Sequence, residues 1–421
     1  MNLVQHGIPS HADAASQGDT VARPGYGRTT DAGHGTVHPF QGRASVPART
    51  TPAPVPPPRM RPPTLRTDRA AVAANVAAVR AATASDIMAV VKADGYGHGA
   101  VAVAQAAVAA GATWLGITDV AEAIALRDAG LDQPVLSWLN PAGVDAELAA
   151  DLQVDVAVGS VDELQQLIAD ADRTLRVHLQ MDTGMARGGS PLSEWGDLLR
   201  IARDGRARGR IDVVGVMGHL PLADCADPAA NAPAVLRMRQ ARDAVLRAGF
   251  GPLTVHLAAT AGALTDPTTH FDLVRVGAGL VGIDPSDTVE LTGAGTFTAP
   301  VVHTTRATAG TAVGYGHDFV ARVDTHLSIV GVGYADGIPR ELAPGASVEI
   351  GGARHPIVGR VSMDQIVIDT GAVQAARGAT ATVFGPAGTA APTIQEWAHW
   401  AGTIPHTIVT GIGARIRRSI G

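Results

Sequence analysis

A lysine lies where a short apolar segment gives way to a glycine-rich loop. Residues 88–99 read Met-Ala-Val-Val-Lys-Ala-Asp-Gly-Tyr-Gly-His-Gly, so Lys92 directly follows an apolar run. An amine in largely apolar surroundings has a lowered pKa because burial disfavours its charged form, and it can then condense with an aldehyde or act as a base. A lysine at the end of a strand can also point into solvent. The pattern alone leaves both interpretations open.

This block resembles the pyridoxal-phosphate lysine motif of the alanine racemase family. In that motif the lysine is linked covalently to the cofactor and a tyrosine four residues later contacts the cofactor phosphate. The resemblance implies these roles for Lys92 and Tyr96. It continues in the family's order and spacing from about residue 63 to about residue 418. Pyridoxal 5'-phosphate is therefore the expected cofactor, and a small amino acid is the expected substrate.

The resemblance assigns the remaining cofactor contacts to three further motifs. Arg275, in Leu-Val-Arg-Val-Gly-Ala-Gly-Leu, matches the arginine that faces the pyridine nitrogen. An arginine does not readily give up a proton, so the ring nitrogen would stay unprotonated and side reactions such as transamination would be suppressed. The backbone N–H groups of Gly277 and Ala278 match the phosphate-binding pair, with Thr260 as the phosphate-binding hydroxyl. Arg187, in Met-Asp-Thr-Gly-Met-Ala-Arg-Gly-Gly, matches the arginine that contacts the ring oxygen and the substrate carboxylate.

A racemase that uses two bases needs one base on each face of the substrate. The resemblance assigns one face to Lys92 and the other to Tyr315, in Val-Gly-Tyr-Gly-His-Asp-Phe. A tyrosine with a pKa near 10 needs help to act as a base. His219, in Met-Gly-His-Leu, matches the family histidine that hydrogen-bonds this tyrosine, although such a histidine can also be a purely structural one.

Two more matches concern the substrate and the assembly. Tyr334, in Val-Gly-Tyr-Ala-Asp-Gly, matches a tyrosine near the substrate entrance. Met363, in Gly-Arg-Val-Ser-Met-Asp-Gln, matches the methionine whose N–H helps to hold the substrate carboxylate, and Asp364 follows it. In the family the tyrosine base and this methionine come from the partner subunit. The resemblance therefore implies a head-to-tail homodimer with shared active sites.

Four positions depart from the family pattern. Gln180 occupies the place of a carbamylated lysine that supports the arginine, and its neutral amide can hydrogen-bond Arg187 without supplying a charge. The other three departures replace an asparagine and two tyrosines with, in order, Ala259, Val281 and Ala414. They put the catalytic efficiency and the size of the substrate pocket in question.

The elements that position these residues repeat regularly. Asp68 is predicted to cap a helix that runs to about Thr83. After it, short apolar segments alternate with amphipathic helices such as Val120–Ala129 and Val161–Ala169. The eight predicted strands are Ile87–Val91, Trp114–Thr118, Val135–Leu139, Val154–Val158, Leu175–Met181, Val213–Met217, Leu253–Leu257 and Leu273–Val276. This spacing predicts an α/β fold with a (β/α)8 TIM-type barrel over residues 63–290. The candidate residues Lys92, Arg187, His219, Thr260 and Arg275 lie at or just past strand ends, where such barrels carry their active sites.

The pattern changes on both sides of this barrel. Residues 291–421 show strands separated by Gly and Pro turns, which predicts a mostly antiparallel β domain with one helix at Ile394–Ala401. Its predicted strands are Pro300–Thr308, His326–Val332, Ser347–Ile350, Gln365–Thr370 and Ala381–Phe384. Residues 1–62 are polar and then proline-rich, so we expect a disordered extension.

Composition excludes several classes of protein. The net charge of −6 provides no basic field for nucleic acid, and no cysteine cluster is available for a metal because Cys225 is the single cysteine. We find no signal peptide and no apolar segment that would span a membrane, so we expect a cytoplasmic protein without a membrane partner.

Three functions fit these observations to different degrees. The first is racemisation of L-alanine to D-alanine, a peptidoglycan precursor. Alternatives within this family are a racemase with a broader or shifted specificity, such as for serine, and a weakly active cofactor- or drug-binding relative, as the four departures suggest. A related class of decarboxylases usually has a glutamate at the pyridine nitrogen, so Arg275 argues against that class.

Overall fold

The computed structural model describes residues 60–225 and 227–421. Its first elements are strand β1 (Thr64–Thr67) and helix α1 (Arg69–Ala82). The helix begins where the Asp68 carboxylate accepts hydrogen bonds from the N–H groups of the next turn, and it ends at Thr83. The predicted helix and its cap are therefore confirmed.

A nearly closed barrel of eight parallel strands follows. The strands are β2 (Asp86–Val90), β3 (Trp114–Ile117), β4 (Val135–Ser137), β5 (Val154–Val158), β6 (Leu175–Gln180), β7 (Ile211–Met217), β8 (Thr254–His256) and β9 (Leu273–Val276). Each strand pairs with the next as far as β8, and β9 pairs with β2. At the seam between β8 and β9, the Asp272 N–H donates to the Val255 carbonyl. The predicted barrel is confirmed, and every strand bound lies within two residues of the expected one.

Helices connect the strands and surround the barrel. They are α2 (Lys92–Tyr96), which is a single left-handed turn, α3 (Ala100–Ala109), α4 (Glu122–Asp128), α5 (Ala146–Asp151), α6 (Val161–Asp170), α7 (Trp195–Ala207), α8 (Pro228–Arg247) and α9 (Thr260–Thr265). The barrel interior holds apolar side chains such as Met88, Leu136 and Met217. It also holds two fully buried histidines, His178 and His256. Among the described residues, no helix has both the length and the apolar surface that crossing a membrane requires.

The second domain is a mostly antiparallel sheet. Its strands are β10 (Gly295–Ala307), β11 (Ala312–Val313), β12 (Phe319–Val320), β13 (Thr325–Val330), β14 (Ser347–Ile350), β15 (Ala353–Pro356), β16 (Ile366–Gly371), β17 (Thr380–Phe384) and β18 (Arg417–Ile420). Helices α10 (Ile394–Trp400) and α11 (Pro405–Thr410) precede β18. The sheet order is β15-β14-β17-β10-β1-β18, and β13 pairs with β10 and β16, whereas β11 and β12 form a separate two-stranded ribbon. The five predicted strands and the one predicted helix are all present.

Strand β1 belongs to this sheet. It pairs with β10 in antiparallel and with β18 in parallel orientation, and Leu65 is fully buried there. Residues 64–67, which sequence analysis grouped with the barrel segment 63–290, therefore serve the β domain. A four-residue strand contains no pattern that identifies its partner, so only the tertiary pairing reveals this. The predicted disorder of residues 1–62 falls almost entirely outside the described residues.

Candidate active site

Lys92 begins a tight turn with left-handed backbone. After β2 ends, Ala93, Asp94 and Tyr96 have φ angles of 52°, 54° and 55°, and Gly95 has 61°. Left-handed conformations cost roughly 1–2 kcal/mol for each residue other than glycine. Such strain persists only where the surroundings enforce it, and it is concentrated at functional sites.

Two carboxylates hold this turn in place. Glu122, at the start of α4, accepts hydrogen bonds from the Ala93 N–H and the Thr118 N–H, both at 2.8 Å. Asp94 accepts from the Ala100 N–H at 2.9 Å. Sequence analysis did not identify Glu122, because a glutamate in the first turn of a helix is an ordinary feature.

The surroundings of the Lys92 amine disfavour its charged form. Burial lowers its pKa, and the charges of Arg187 and Arg275 lower it further, against the opposing effect of Glu122. The amine lies 6.0 Å from the centre of the Trp138 ring. Lys92 is also the only lysine in the 421-residue sequence, which by itself makes this position stand out. A neutral amine of this kind is a nucleophile and a base.

Arg275 lies inside the barrel and organises its polar neighbours. Its Nη2 donates to the Gly218 carbonyl at 2.8 Å and to Nδ1 of His219 at 3.2 Å, and its Nη1 donates to Nδ1 of His256 at 3.1 Å. Burial lowers the pKa of Arg275 to about 10, so the guanidinium remains charged. Since arginine only donates, His219 accepts at Nδ1 and carries its proton on Nε2.

His219 is neutral in this setting. Burial, followed by the charges of Arg275, Arg187 and Lys92, lowers its pKa to about 3. Its backbone is fixed by Thr183, whose hydroxyl donates to the His219 carbonyl at 2.5 Å. His219 and Lys92 line the same cavity, so a neutral imidazole with a free Nε2–H lies beside the amine.

A cradle of small groups lies between α9 and the end of β9. The Thr260 hydroxyl accepts from the N–H groups of Gly277 and Gly279, at 3.4 Å and 3.2 Å. A Cβ atom at residue 277 would lie 2.7 Å from Cζ of Tyr96, so only glycine fits there. Burial raises the pKa of Tyr96 to about 12, so its phenol remains a hydrogen-bond donor. Buried hydroxyl groups and backbone N–H groups of this kind suit a phosphate.

The loop after β6 carries Arg187. Asp182 organises this loop, since its Oδ1 accepts from three consecutive N–H groups, those of residues 184, 185 and 186, at 2.9–3.1 Å. Arg187 is exposed and lines the cavity, as does Gln180. No hydrogen bond joins these two side chains in the described part of the chain, although sequence analysis noted that the Gln180 amide could form one.

The three candidates of the β domain lie apart from this cavity. Tyr315, Tyr334 and Met363 are 70%, 40% and 53% exposed and are absent from the cavity wall. The Tyr334 and Met363 loops adjoin each other, because the Ala335 N–H donates to the Met363 carbonyl at 3.0 Å. The structure thus brings together the barrel candidates and, separately, two candidates of the β domain.

The other departures from the family pattern have distinct settings. Ala259 precedes α9 and provides no side-chain cap for it. Val281 is buried in the apolar core and lines a second cavity instead. Ala414 is exposed and precedes Arg415, which bonds to both Asp336 and Asp364. Asp364 and Arg415 thereby hold Ala414 next to the Tyr334 and Met363 loops.

The cavity at the C-terminal end of the barrel has a volume of about 1430 Å³. Pockets for small ligands usually measure roughly 300–1,000 Å³, so there is room for more than a cofactor and a small amino acid. Within residues 60–225 and 227–421, no group of three or more histidine, cysteine or acidic side chains is arranged to hold a metal ion.

Comparison with known proteins identifies the family. The chain matches the family models of the alanine racemase N-terminal domain over residues 67–285 and of the C-terminal domain over residues 294–420. An alanine racemase of Salinispora tropica is 40% identical over 355 residues, which cover 83% of this chain and 95% of that protein.

Solved structures agree with this match. The crystal structure of alanine racemase from D-cycloserine producing Streptomyces lavendulae superposes with a TM-score of 0.81 at 37% identity, covering 86% of this chain and 97% of that one. Alanine racemase from Bartonella henselae, with covalently bound pyridoxal phosphate, has a TM-score of 0.73 at 27% identity, covering 86% and 100%. With both family domains matched in order along one chain, this protein belongs to the alanine racemase family.

Proposed function

We propose that this enzyme interconverts L- and D-alanine with pyridoxal phosphate, using Lys92 and Tyr315 as its two bases. The observation that carries the proposal is the position of the only lysine, whose amine has a lowered pKa and lies beside two arginines at the C-terminal end of the barrel. We assign cofactor binding to the barrel segment, residues 63–290, and the second base to the β domain, residues 291–421.

The barrel residues fit the cofactor. Thr260, Gly277, Ala278 and Tyr96 would hold the phosphate, because together they offer hydroxyl and N–H donors with no side chain at residue 277 to obstruct them. Arg275 would face the ring nitrogen, since its guanidinium is buried and remains charged. When bound, pyridoxal phosphate supplies an aldehyde for the substrate amine and a conjugated ring that takes up the electrons left by the departing α-proton.

Lys92 serves one face of the substrate. Its lowered pKa raises the neutral fraction of the amine, which is the form that accepts the α-proton. The nearby Arg187 and Arg275 disfavour the resulting ammonium, so the proton is readily returned. Arg187 is exposed in the cavity and is suited to bind the substrate carboxylate.

Tyr315 serves the opposite face from a second copy of the chain. Its side chain is exposed, and within the described residues its hydroxyl makes no hydrogen bond. The cavity is larger than the ligands need, which leaves room for a loop from another molecule. A head-to-tail homodimer would bring Tyr315, the entrance residue Tyr334 and the Met363 N–H to the cavity, giving two shared sites.

His219 prepares this tyrosine. Its Nδ1 accepts from Arg275, so its Nε2–H is available to donate to the Tyr315 oxygen of the second copy. A hydrogen bond to a phenolate oxygen stabilises the ionised form, which is the form that accepts a proton. Since His219 stays neutral down to a pH of about 3, this donor is available at all physiological pH values.

We also infer the setting of the reaction. A single cysteine in the chain agrees with a reducing compartment and hence with a cytoplasmic enzyme. Its D-alanine product would supply peptidoglycan synthesis. This second inference extends the proposed reaction and depends on it.

Purified enzyme incubated with L-alanine tests the proposal by chiral chromatography. D-Alanine should accumulate until the enantiomers are equal, and Lys92→Ala should lose turnover by a factor of at least about 100. Borohydride should attach the cofactor irreversibly to Lys92, and the absence of any other lysine makes the labelled peptide unambiguous. Label confined to the N-terminal amine, or no D-alanine, would refute the assignment.

A further inference from the structure

A file of polar side chains runs through the barrel interior from the floor of the active site. Nδ1 of His256 accepts from Arg275 at 3.1 Å, and Nε2 of His256 lies 2.8 Å from Nδ1 of His178. Nε2 of His178 lies 3.3 Å from Oδ2 of Asp155, whose Oδ1 accepts from Nε of Arg176 at 2.9 Å. The Arg176 side chain is 58% exposed, so the file connects the active site to solvent on the side of the strand beginnings.

The barrel is built around this file. His178 is fully buried, and a Cβ atom at residue 215 would collide with its ring, so Gly215 provides the space. Trp114 packs edge-on against His178 at 5.8 Å between ring centres. TIM-barrel interiors are usually filled by branched apolar side chains. Two histidines and an aspartate in these positions therefore call for a role other than packing.

The direction of every hydrogen bond in the file follows from its two ends. Arg275 can only donate, so Nδ1 of His256 accepts and its proton lies on Nε2. That proton is donated to Nδ1 of His178, which leaves the His178 proton on Nε2, facing the Asp155 carboxylate. Burial and the charge of Arg275 hold the pKa of His256 well below its usual value, in agreement with a neutral ring.

We propose that Asp155 is a positioning residue that acts through His178 and His256 to fix the tautomer of His256 and, with it, the orientation of Arg275 in the active site. Without a carboxylate at residue 155, the opposite tautomers become available. His256 would then present an N–H to the Arg275 guanidinium, two donors would face each other, and Arg275 would move. The inference rests on the proposed function only for its effect on turnover, since the proton positions can be measured separately.

Neutron diffraction of the deuterated holoenzyme measures those positions in the unaltered protein. We expect deuterium on Nε2 of both His178 and His256 and on neither Nδ1. Deuterium on Nδ1 of either ring would overturn the proposal, whatever the enzyme's activity. This measurement stands even if substitutions inside the barrel prevent folding.

The Asp155→Asn variant tests whether loss of the carboxylate changes the histidine tautomers and turnover. Both neighbours of residue 155 need an acceptor and an asparagine offers one oxygen. Arg176 cannot accept, whereas His178 can change tautomer, so the amide oxygen should turn to Arg176 and the amide N–H to His178. We expect deuterium on Nδ1 of both histidines, with kcat lowered about tenfold and KM within about twofold. The control Asp151→Asn removes an exposed ion pair with Arg173 and should leave the proton positions, kcat and KM unchanged.

A second substitution distinguishes positioning from simple support of the fold. In Asp155→Asn/Arg176→Leu the amide oxygen is free to face His178, so the original tautomers should return and kcat should recover at least about threefold over the single variant. A further loss of kcat in the double variant, or an unchanged tautomer in Asp155→Asn, would overturn the proposal.

Discussion

Neighbouring charges and burial, more than any property of lysine itself, suit Lys92 to its proposed role. Burial and two arginines lower its pKa, while Glu122 supports the strained turn that holds it. The same arginines keep His219 neutral. Two groups with shifted pKa values in one cavity are the usual mark of an acid–base site.

The Tyr315→Phe substitution should slow α-proton exchange from one enantiomer more than from the other. In the proposed scheme the phenol serves a single face, so α-proton exchange from one enantiomer should fall by at least about 100-fold while exchange from the other falls far less. Deuterium incorporation from heavy water into each alanine enantiomer measures this. Val323→Ala, an exposed change in the same domain, is the control. Equal and small losses for both enantiomers would rule out the two-base scheme.

Ala414 should widen the range of substrates. It lies beside the Tyr334 and Met363 loops, and the family resemblance implies a tyrosine in its place. In the proposed dimer its methyl group would therefore leave room for a substrate bigger than alanine. Space for one additional small group changes the ratio of kcat/KM values between two substrates by about 10–200-fold. Ala414→Tyr should therefore lower kcat/KM for serine relative to alanine by a factor within that range. The exposed Ala376→Tyr is the control. A serine-to-alanine ratio that is the same in all three proteins would show that residue 414 does not limit the pocket.

The helices and strands with a repeating pattern of apolar residues could be predicted from the sequence. The barrel strands are apolar runs such as Val154–Val158, and the cap at Asp68 has a local cause, so both were found. The left-handed turn after Lys92 was not found, because Ala93 and Asp94 give no sign of a positive φ. His178 looked like any strand residue, since its partners are distant in sequence.

The cradle depends on the absence of a side chain at one element junction. Gly277→Ala should push Tyr96 away and cost about 1–3 kcal/mol of stability, together with weaker binding of pyridoxal phosphate. Thermal unfolding and cofactor titration measure the two effects. Gly196→Ala, in an open position of helix α7, should instead stabilise by about 0.5–1 kcal/mol. Unchanged cofactor affinity in Gly277→Ala would contradict the phosphate assignment.

In the whole molecule, the turn after Lys92 is also the junction with the β domain. The Thr67 hydroxyl donates to the His98 carbonyl at 2.7 Å, and Arg418 donates to the Gly97 carbonyl at 3.1 Å. His98 itself is buried against Gly295 at the start of β10. The position of the turn that carries Lys92 is therefore coupled to the packing of the two domains.

Acid should weaken this junction. Burial lowers the pKa of His98 from 6.5 to about 4, so between these pH values the unfolded chain binds a proton that the folded chain excludes. The contribution of His98 is complete above pH 6.5 and falls by up to about 1.4 kcal/mol for each pH unit below it. Denaturant unfolding at several pH values gives the free energy of unfolding as a function of pH. Its slope should be shallower in His98→Gln than in wild type and unchanged in the exposed His399→Gln. Equal slopes in wild type and His98→Gln would contradict the lowered pKa of His98 in the folded protein.

Mixing two inactive variants tests the shared active site most directly. Chains with Lys92→Ala and chains with Tyr315→Phe are unfolded together, refolded and assayed for racemisation. If each site takes Lys92 from one chain and Tyr315 from the other, half of the dimers are mixed and each has one intact site, so about one quarter of wild-type activity should return. If both bases come from the same chain, every site keeps a defect, and activity no higher than that of the separate variants would contradict the account.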